Sequence, residues 1–199
     1  MATTAERVRE LRDKTGAGVM DCKEALAAAG DDLEKAVDYL RTKGLASAAK
    51  RAHREAREGV VGAYVHPGSK IGVLIELNCE TDFVARTDQF QELVKSLAMQ
   101  VAAANPSYVS REEVPAAVIE REKEIYRQQL ADQKKPPQVL ERIIEGKLGK
   151  FYEDACLLDQ AYIRDPSGKM RVKDLVGEMS AKTGEKVAVR RFARYQVGE

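Results

Sequence analysis

Between Ile71 and Ala102 the apolar period of the chain changes once, and that change limits what it can fold into. Ile71-Gly72-Val73-Leu74-Ile75 is an apolar run. Val73, Ile75 and Leu77 share one face and Gly72, Leu74 and Glu76 the other, which is the period of a strand. From Asp88 onward, Phe90, Leu93, Val94, Leu97, Ala98, Val101 and Ala102 recur at helical spacing, as on a helix that covers one face of a sheet. Asn105-Pro106 ends that helix, because the residue before a proline is pushed out of helical geometry. Upstream, Val60 to His66 is β-rich and Pro67-Gly68-Ser69-Lys70 has turn chemistry, so the strand belongs to a hairpin. Near the end, Lys186 to Tyr195 alternates Val187, Val189, Arg191, Ala193 and Tyr195 with Ala188, Arg190, Phe192 and Arg194. It predicts a further, antiparallel strand. About three strands with helices packed on one side make an α+β domain.

The stretch before the hairpin has a different character. Thr3-Thr4-Ala5-Glu6 reads as a capping box, Val8 and Leu11 share a helix face, and Thr15-Gly16 closes the helix. Gly18 permits a tight turn into a second helix, Val19 to Ala29, which stops at Gly30. Asp31-Asp32-Leu33-Glu34 caps a third, whose stripe is Leu33, Ala36, Val37 and Leu40 and whose predicted end is Gly44. Residues 1–44 therefore read as a three-helix module with small residues at its helix contacts. Residues 45–58 read as a basic, Ala-rich connector carrying Lys50, Arg51, Arg54 and Arg57. Residues 59–199 form the α+β domain. Within it, Ala116 to Lys134 and Gln138 to Phe151 are helical, with a break at Lys134-Lys135-Pro136-Pro137 and with Gly146 and Gly149 as points of interruption. Val172, Leu175, Val176 and Met179 mark a short helix ending at Gly184.

Composition excludes several classes. The 199 residues carry 33 basic and 32 acidic side chains, a net charge of +1, so bulk charge points to neither nucleic acid nor membrane. The connector has no aromatic among its charges, and Glu55 and Glu58 dilute them, which argues against a nucleic-acid arm. Cys22, Cys79 and Cys156 are far apart and have no metal or redox spacing, which suits a reducing, cytoplasmic setting. No apolar run reaches membrane length, and the Met-Ala-Thr-Thr start with Glu6 reads as neither signal nor transit peptide. Phosphate loop, dinucleotide fingerprint, nucleophile elbow and zinc motif are all missing, so no cofactor and no metal are expected. Cys79 lies beside Glu80 and Asp82, which raise a thiol pKa, and reads as a small buried residue.

The corner between strand and helix, Glu76 to Arg86, is where exposure and rigidity coincide. Phe83 admits two readings there. Either Phe83 and Val84 staple the following helix to the sheet, or the polar turn Asn78 to Asp82 delivers the ring outward.

Two segments together resemble the bacterial elongation factor Ts family: Thr15-Gly16-Ala17-Gly18-Val19-Met20-Asp21-Cys22-Lys23-Glu24-Ala25-Leu26, and Leu77-Asn78-Cys79-Glu80-Thr81-Asp82-Phe83-Val84-Ala85-Arg86. The likeness covers the whole chain. The resemblance implies a guanine-nucleotide exchange factor for elongation factor Tu in translation elongation, and not an enzyme. Such a factor binds Tu–GDP, displaces Mg²⁺ and releases GDP so that GTP can bind. It implies that Thr81, Asp82, Phe83 and Val84 dislodge the partner's magnesium, and that Gly16, Ala17, Gly18, Val19, Met20 and Leu26 bind the GTPase. It implies an N-terminal module similar to ubiquitin-associated domains. The chain resembles the short, thermophile-type class, in which two copies pair, so a homodimer is implied, with Val187, Val189 and Phe192 at or near its interface. Some short members link the dimer through a cysteine in the closing strand; Ala193 stands there in this chain. Direct nucleic-acid and membrane partners are not implied. The rival readings are a ubiquitin-type adaptor, a nucleic-acid binder using the connector, and an enzyme with a spatially assembled site.

Overall fold

The structure, a computed structural model, describes residues 4–131, 133 and 136–199. Thr3 of the expected capping box and Lys134-Lys135 of the expected break lie outside them. The chain is α+β, as its periods predict. Eight α-helices and a three-stranded sheet, whose strands adjoin in chain order, are formed among the described residues.

Two compact units are present. One comprises Met1–Val61, Glu76–Val94 and Asp174–Ala188, the other Gly62–Ile75, Lys95–Lys173 and Val189–Glu199. In the first, α1 (Thr4–Thr15), α2 (Val19–Ala28) and α3 (Leu33–Arg51) pack on one another. Their core is Leu11, Cys22, Ala25, Leu26 and Ala36, flanked by Val8, Leu33, Val37 and Leu40. Helix α3 does not stop at Gly44 but continues to Arg51. A glycine inside a helix costs about 1 kcal/mol in propensity relative to Ala. A Cβ at Gly44 would lie 3.0 Å from the Ala181 Cβ of α8 (Val172–Thr183). The glycine thus marks a close helix approach and not a helix end.

Strands β1 (Glu58–Val65) and β2 (Ile71–Cys79) form the expected hairpin. Val73, Ile75, Leu77 and Cys79 are buried while Leu74 is exposed, so the predicted alternation holds. Gly59 has φ 148°, and a Cβ there would fall 2.2 Å from the Leu77 carbonyl oxygen, so only glycine lets the hairpin strands close at this end. Strand β3 (Ala188–Gln196) departs from the even alternation read in the sequence. Val187 and Val189 are buried, Arg190 and Arg191 are both exposed, and the Arg194 side chain is drawn in, its Nε donating to the Ala102 carbonyl. Beyond Val189 the alternation lapses, with Phe192, Ala193 and Arg194 all half-buried.

In the second unit, α6 (Ala116–Leu130) packs on α7 (Pro137–Ala155), and α7 runs unbroken through Gly146 and Gly149. Buried Gln100 and Gln160 organise the following irregular segment. Gln100 donates to the Gln160 amide oxygen and to the Ala161 carbonyl, each at 3.1 Å, and accepts from the Ile163 N–H at 2.9 Å. The Gln160 NH2 in turn donates to the Asp154 and Ala104 carbonyls, so both ends of each amide meet a partner, which is what makes so buried a pair tolerable.

Candidate functional site

The corner is built from short elements held by side chains. Thr81 is extended (φ −129°, ψ 153°) and caps the helical turn α4 (Asp82–Ala85), its hydroxyl accepting from the Val84 N–H at 3.4 Å. Helix α5 (Asp88–Ala104) begins at once: the Thr87 hydroxyl accepts from the Phe90 N–H, and the Gln91 amide donates back to the Ala85 carbonyl at 2.7 Å. Ala85 and Phe90 are buried, and Val84 is half-buried. Phe83 is 80% exposed, so the ring is no staple. Asp82 forms an ion pair with Arg86 at 2.9 Å on the exposed side of the turn.

Residues far away in sequence hold the corner from behind. One Glu185 oxygen accepts from the N–H groups of Glu80 and Thr81, each at 3.0 Å, and the other accepts from the Thr81 hydroxyl at 2.6 Å. In return a Glu80 oxygen accepts from the Lys186 N–H at 2.6 Å and from Arg54 at 3.3 Å. The Lys186 N–H is the main cause that holds the Glu80 carboxyl below its usual range, with Arg54 assisting. The Lys186 ammonium donates to the carbonyls of Ala52 and Arg54, so the basic connector is tied to the corner. Burial, then the Glu185 charge, pushes the Cys79 thiol up to about 11, and its Sγ donates to the Thr81 carbonyl. A neutral, fully buried thiol of this kind is no nucleophile.

The N-terminal loop is held locally. Gly16 has φ 68° and its N–H donates to the Arg12 carbonyl; a side chain there would be strained and would meet the Lys182 stem at 3.3 Å. The Ala17 N–H donates to the Thr15 hydroxyl. Gly18 stands at the N-cap of α2 with no side-chain cap. Val19 and Met20 follow on the surface, Met20 74% exposed. Leu26, by contrast, is only 3% exposed and lies in the three-helix core, so it can serve this surface only by supporting it.

Residues 43–199 match the family described as elongation factor TS. The proteins named elongation factor Ts from Thermodesulfovibrio yellowstonii and Fervidobacterium nodosum are each 58% identical to it over 199 residues. The match spans all of this chain and 98% and 100% of theirs. The protein of that name from Caldanaerobacter subterraneus is 58% identical over 196 residues, 98% of this chain and 97% of its own. The chain belongs to the elongation factor Ts family.

The residues singled out in the sequence fall into two groups. Thr81, Asp82, Phe83 and Val84 form a single capped turn with one large apolar side chain outward. Gly16 to Gly18 form the loop before α2, with Ala17 half-buried against the core, Val19 and Met20 are exposed in the helix's first turn, and Leu26 lies beneath the surface. Sequence reasoning missed Glu185, Lys186 and Arg54, because nothing in their local pattern links them to residue 80. A charge pair flanking a predicted helix end, here Glu185-Lys186 after Gly184, was the available signal. Cys22, Cys79 and Cys156 are free and buried. Among the described residues no cluster of His, Cys, Asp and Glu is arranged to hold a metal, and no helix is long and apolar enough to cross a membrane.

Proposed function

We propose that this chain is the guanine-nucleotide exchange factor of elongation factor Tu, acting in the cytoplasm and not as an enzyme. The observation that carries the reading is Phe83: a large apolar ring, mostly in solvent, on a turn whose backbone is bonded at both ends. An exposed aromatic on a rigid support is the form of a binding anchor. Inserted beside the nucleotide site of Tu, it would move ligands or waters of the bound Mg²⁺. That ion demands near-ideal octahedral geometry and loses affinity when its shell is distorted. Thr81 fixes the turn, Val84 braces it, and Asp82 offers a carboxylate to polar groups of the partner. By linkage, whatever weakens nucleotide binding is weakened in return by nucleotide, so GDP or GTP at saturation expels the factor.

Residues 1–44 are the affinity element in this proposal, with Gly16, Ala17, Gly18, Val19 and Met20 as its contact loop and Leu26 supporting them. Residues 45–58 connect and 59–199 carry the exchange corner. The module's similarity to ubiquitin-associated domains belongs to the same proposal.

The active species is proposed to be a homodimer. Val187 and Val189 are buried in the single chain and so are unavailable for the pairing surface. The exposed Leu74, Val65 and Tyr195 on the strands, with half-buried Phe192, are the better candidates. Obligate homodimer interfaces are apolar and large, which suits such a face. Sedimentation at micromolar concentration is expected to give twice the 22.0 kDa chain mass, and Leu74→Arg to return the single-chain value. The experiment that decides the main proposal is stopped-flow release of labelled GDP from Tu with and without the chain. Release unchanged at saturating chain rejects it.

A further inference from the structure

We propose that Glu185 is the positioning residue of the Phe83 anchor. The inference rests on the exchange reading above. Phe83 cannot hold itself in place, since its ring is largely in solvent. Helix α4 spans only Asp82–Ala85, far too short to be stable alone, so its direction is imposed from outside.

At its C-terminal side α4 is joined to α5 by Thr87 and Gln91. At its N-terminal side the constraint is Glu185. This one carboxylate takes both backbone donors that precede the turn, Glu80 and Thr81, and the Thr81 hydroxyl proton as well. With that proton committed to Glu185, the Thr81 oxygen presents a lone pair to the Val84 N–H, which is the cap of α4. The carboxylate therefore sets the hydroxyl rotor that sets the helical turn. Glu185 is itself held. Its carbonyl accepts from the Ser180 hydroxyl at 2.5 Å, its N–H donates to the Thr183 hydroxyl at 3.3 Å, and Glu80 grips the next N–H, that of Lys186. The two segments exchange carboxylate-to-backbone bonds in both directions. Removing either end frees the other.

The test has a partner-free and a partner-dependent arm. In the isolated chain, Glu185→Ala should speed amide exchange at Thr81 and Val84 by about tenfold or more, the loss of charge-assisted bonds, with α5 amides unchanged. With Tu present, Glu185→Ala should lower the maximal GDP-release rate about tenfold while the half-saturating concentration changes less than about threefold. In a Phe83→Ala background it should add almost nothing, because both changes remove one device. Glu185→Gln, which keeps an acceptor for the two N–H groups but puts an NH2 in place of the oxygen that takes the Thr81 hydroxyl proton, should recover only part of the rate. A shift in half-saturation alone, losses that multiply in the double variant, or unchanged exchange at Thr81 and Val84 would overturn the proposal. If Glu185→Ala does not fold, Glu185→Asp, too short to reach all three donors, takes its place in both arms. A parent chain that fails to stimulate release defeats the exchange reading, and the amide-exchange arm still decides the role of Glu185.

Discussion

The corner at Phe83 and the loop at Met20 both present an exposed apolar side chain in the first turn of a helix, yet they are supported in different ways. Thr81 caps its turn with a hydroxyl and is gripped by a carboxylate 104 residues away. The loop before α2 has a glycine at the cap, with no side-chain bond, and its fixed points, Arg12 and Thr15, are a few residues away. The first arrangement costs assembly of distant segments and yields a preset direction for one ring. The second leaves Met20, a flexible thioether, free to adapt to what it meets. A rigid anchor suits a task in which displacement must be transmitted; an adaptable one suits adhesion alone.

That contrast can be broken or sharpened. The largest effect separates Phe83 from its neighbour in the same segment: Phe90→Ala, a fully buried ring, should cost about 3–5 kcal/mol of stability. Phe83→Ala should melt near the parent temperature yet lose at least about 2 kcal/mol of transition-state binding, roughly thirty-fold in stimulated GDP release. Stopped flow and thermal melts on the same two variants check both statements. The Phe83→Ala deficit should shrink when magnesium is chelated; a deficit that persists in chelator would show that the ring only docks.

A smaller effect is expected at the loop. Met20→Ala should weaken the apparent affinity for Tu by about 1 kcal/mol and leave the maximal rate intact, as a titration carried from below half-saturation up to saturation would report. An equal loss of maximal rate would erase the difference between the regions. Thr81→Ala should cost about 1 kcal/mol, the usual worth of an N-cap, and its effect should appear first as faster exchange at Val84.

The corner also carries a pH dependence. Glu80 is held below its ordinary pKa of 4.5, chiefly by the Lys186 N–H. A depressed carboxylate contributes stability that is whole above the unfolded value and is lost as pH falls through the folded one. Protection of the Lys186 amide should therefore be constant at neutral pH and decline only below about 4.5. Protection that already falls well above that value would contradict the assignment. The smallest effect is Gly18→Ser: the backbone there (φ −62°) accepts a side chain, and a serine cap gains only a few tenths of a kcal/mol over glycine. Crowding by the Asp21 carboxylate, 3.2 Å from the added Cβ, decides its sign in a melt.

Much was legible in the chain itself. The change of period between Ile71 and Ala102 specified the strand, the corner and α5, and Val73, Ile75 and Leu77 took the face that alternation assigns them. Gly16 and Gly30 marked turns correctly, and both have positive φ. The exposure of Phe83 was one of two readings the residues allowed, and burial alone chose between them. Period and propensity are properties of neighbours within a turn or a strand, so they register wherever one face of one element meets a core. They are silent on which elements meet. Only the tertiary structure decided that Gly44 lies against Ala181 and lets α3 pass, that Leu26 is core, and that the alternation of β3 lapses beyond Val189. It alone brought Glu185 to the Thr81 hydroxyl. The reason is physical: a hydrogen bond across 104 residues is made where the segment after α8 meets the segment after β2, and leaves no periodic trace at either of them.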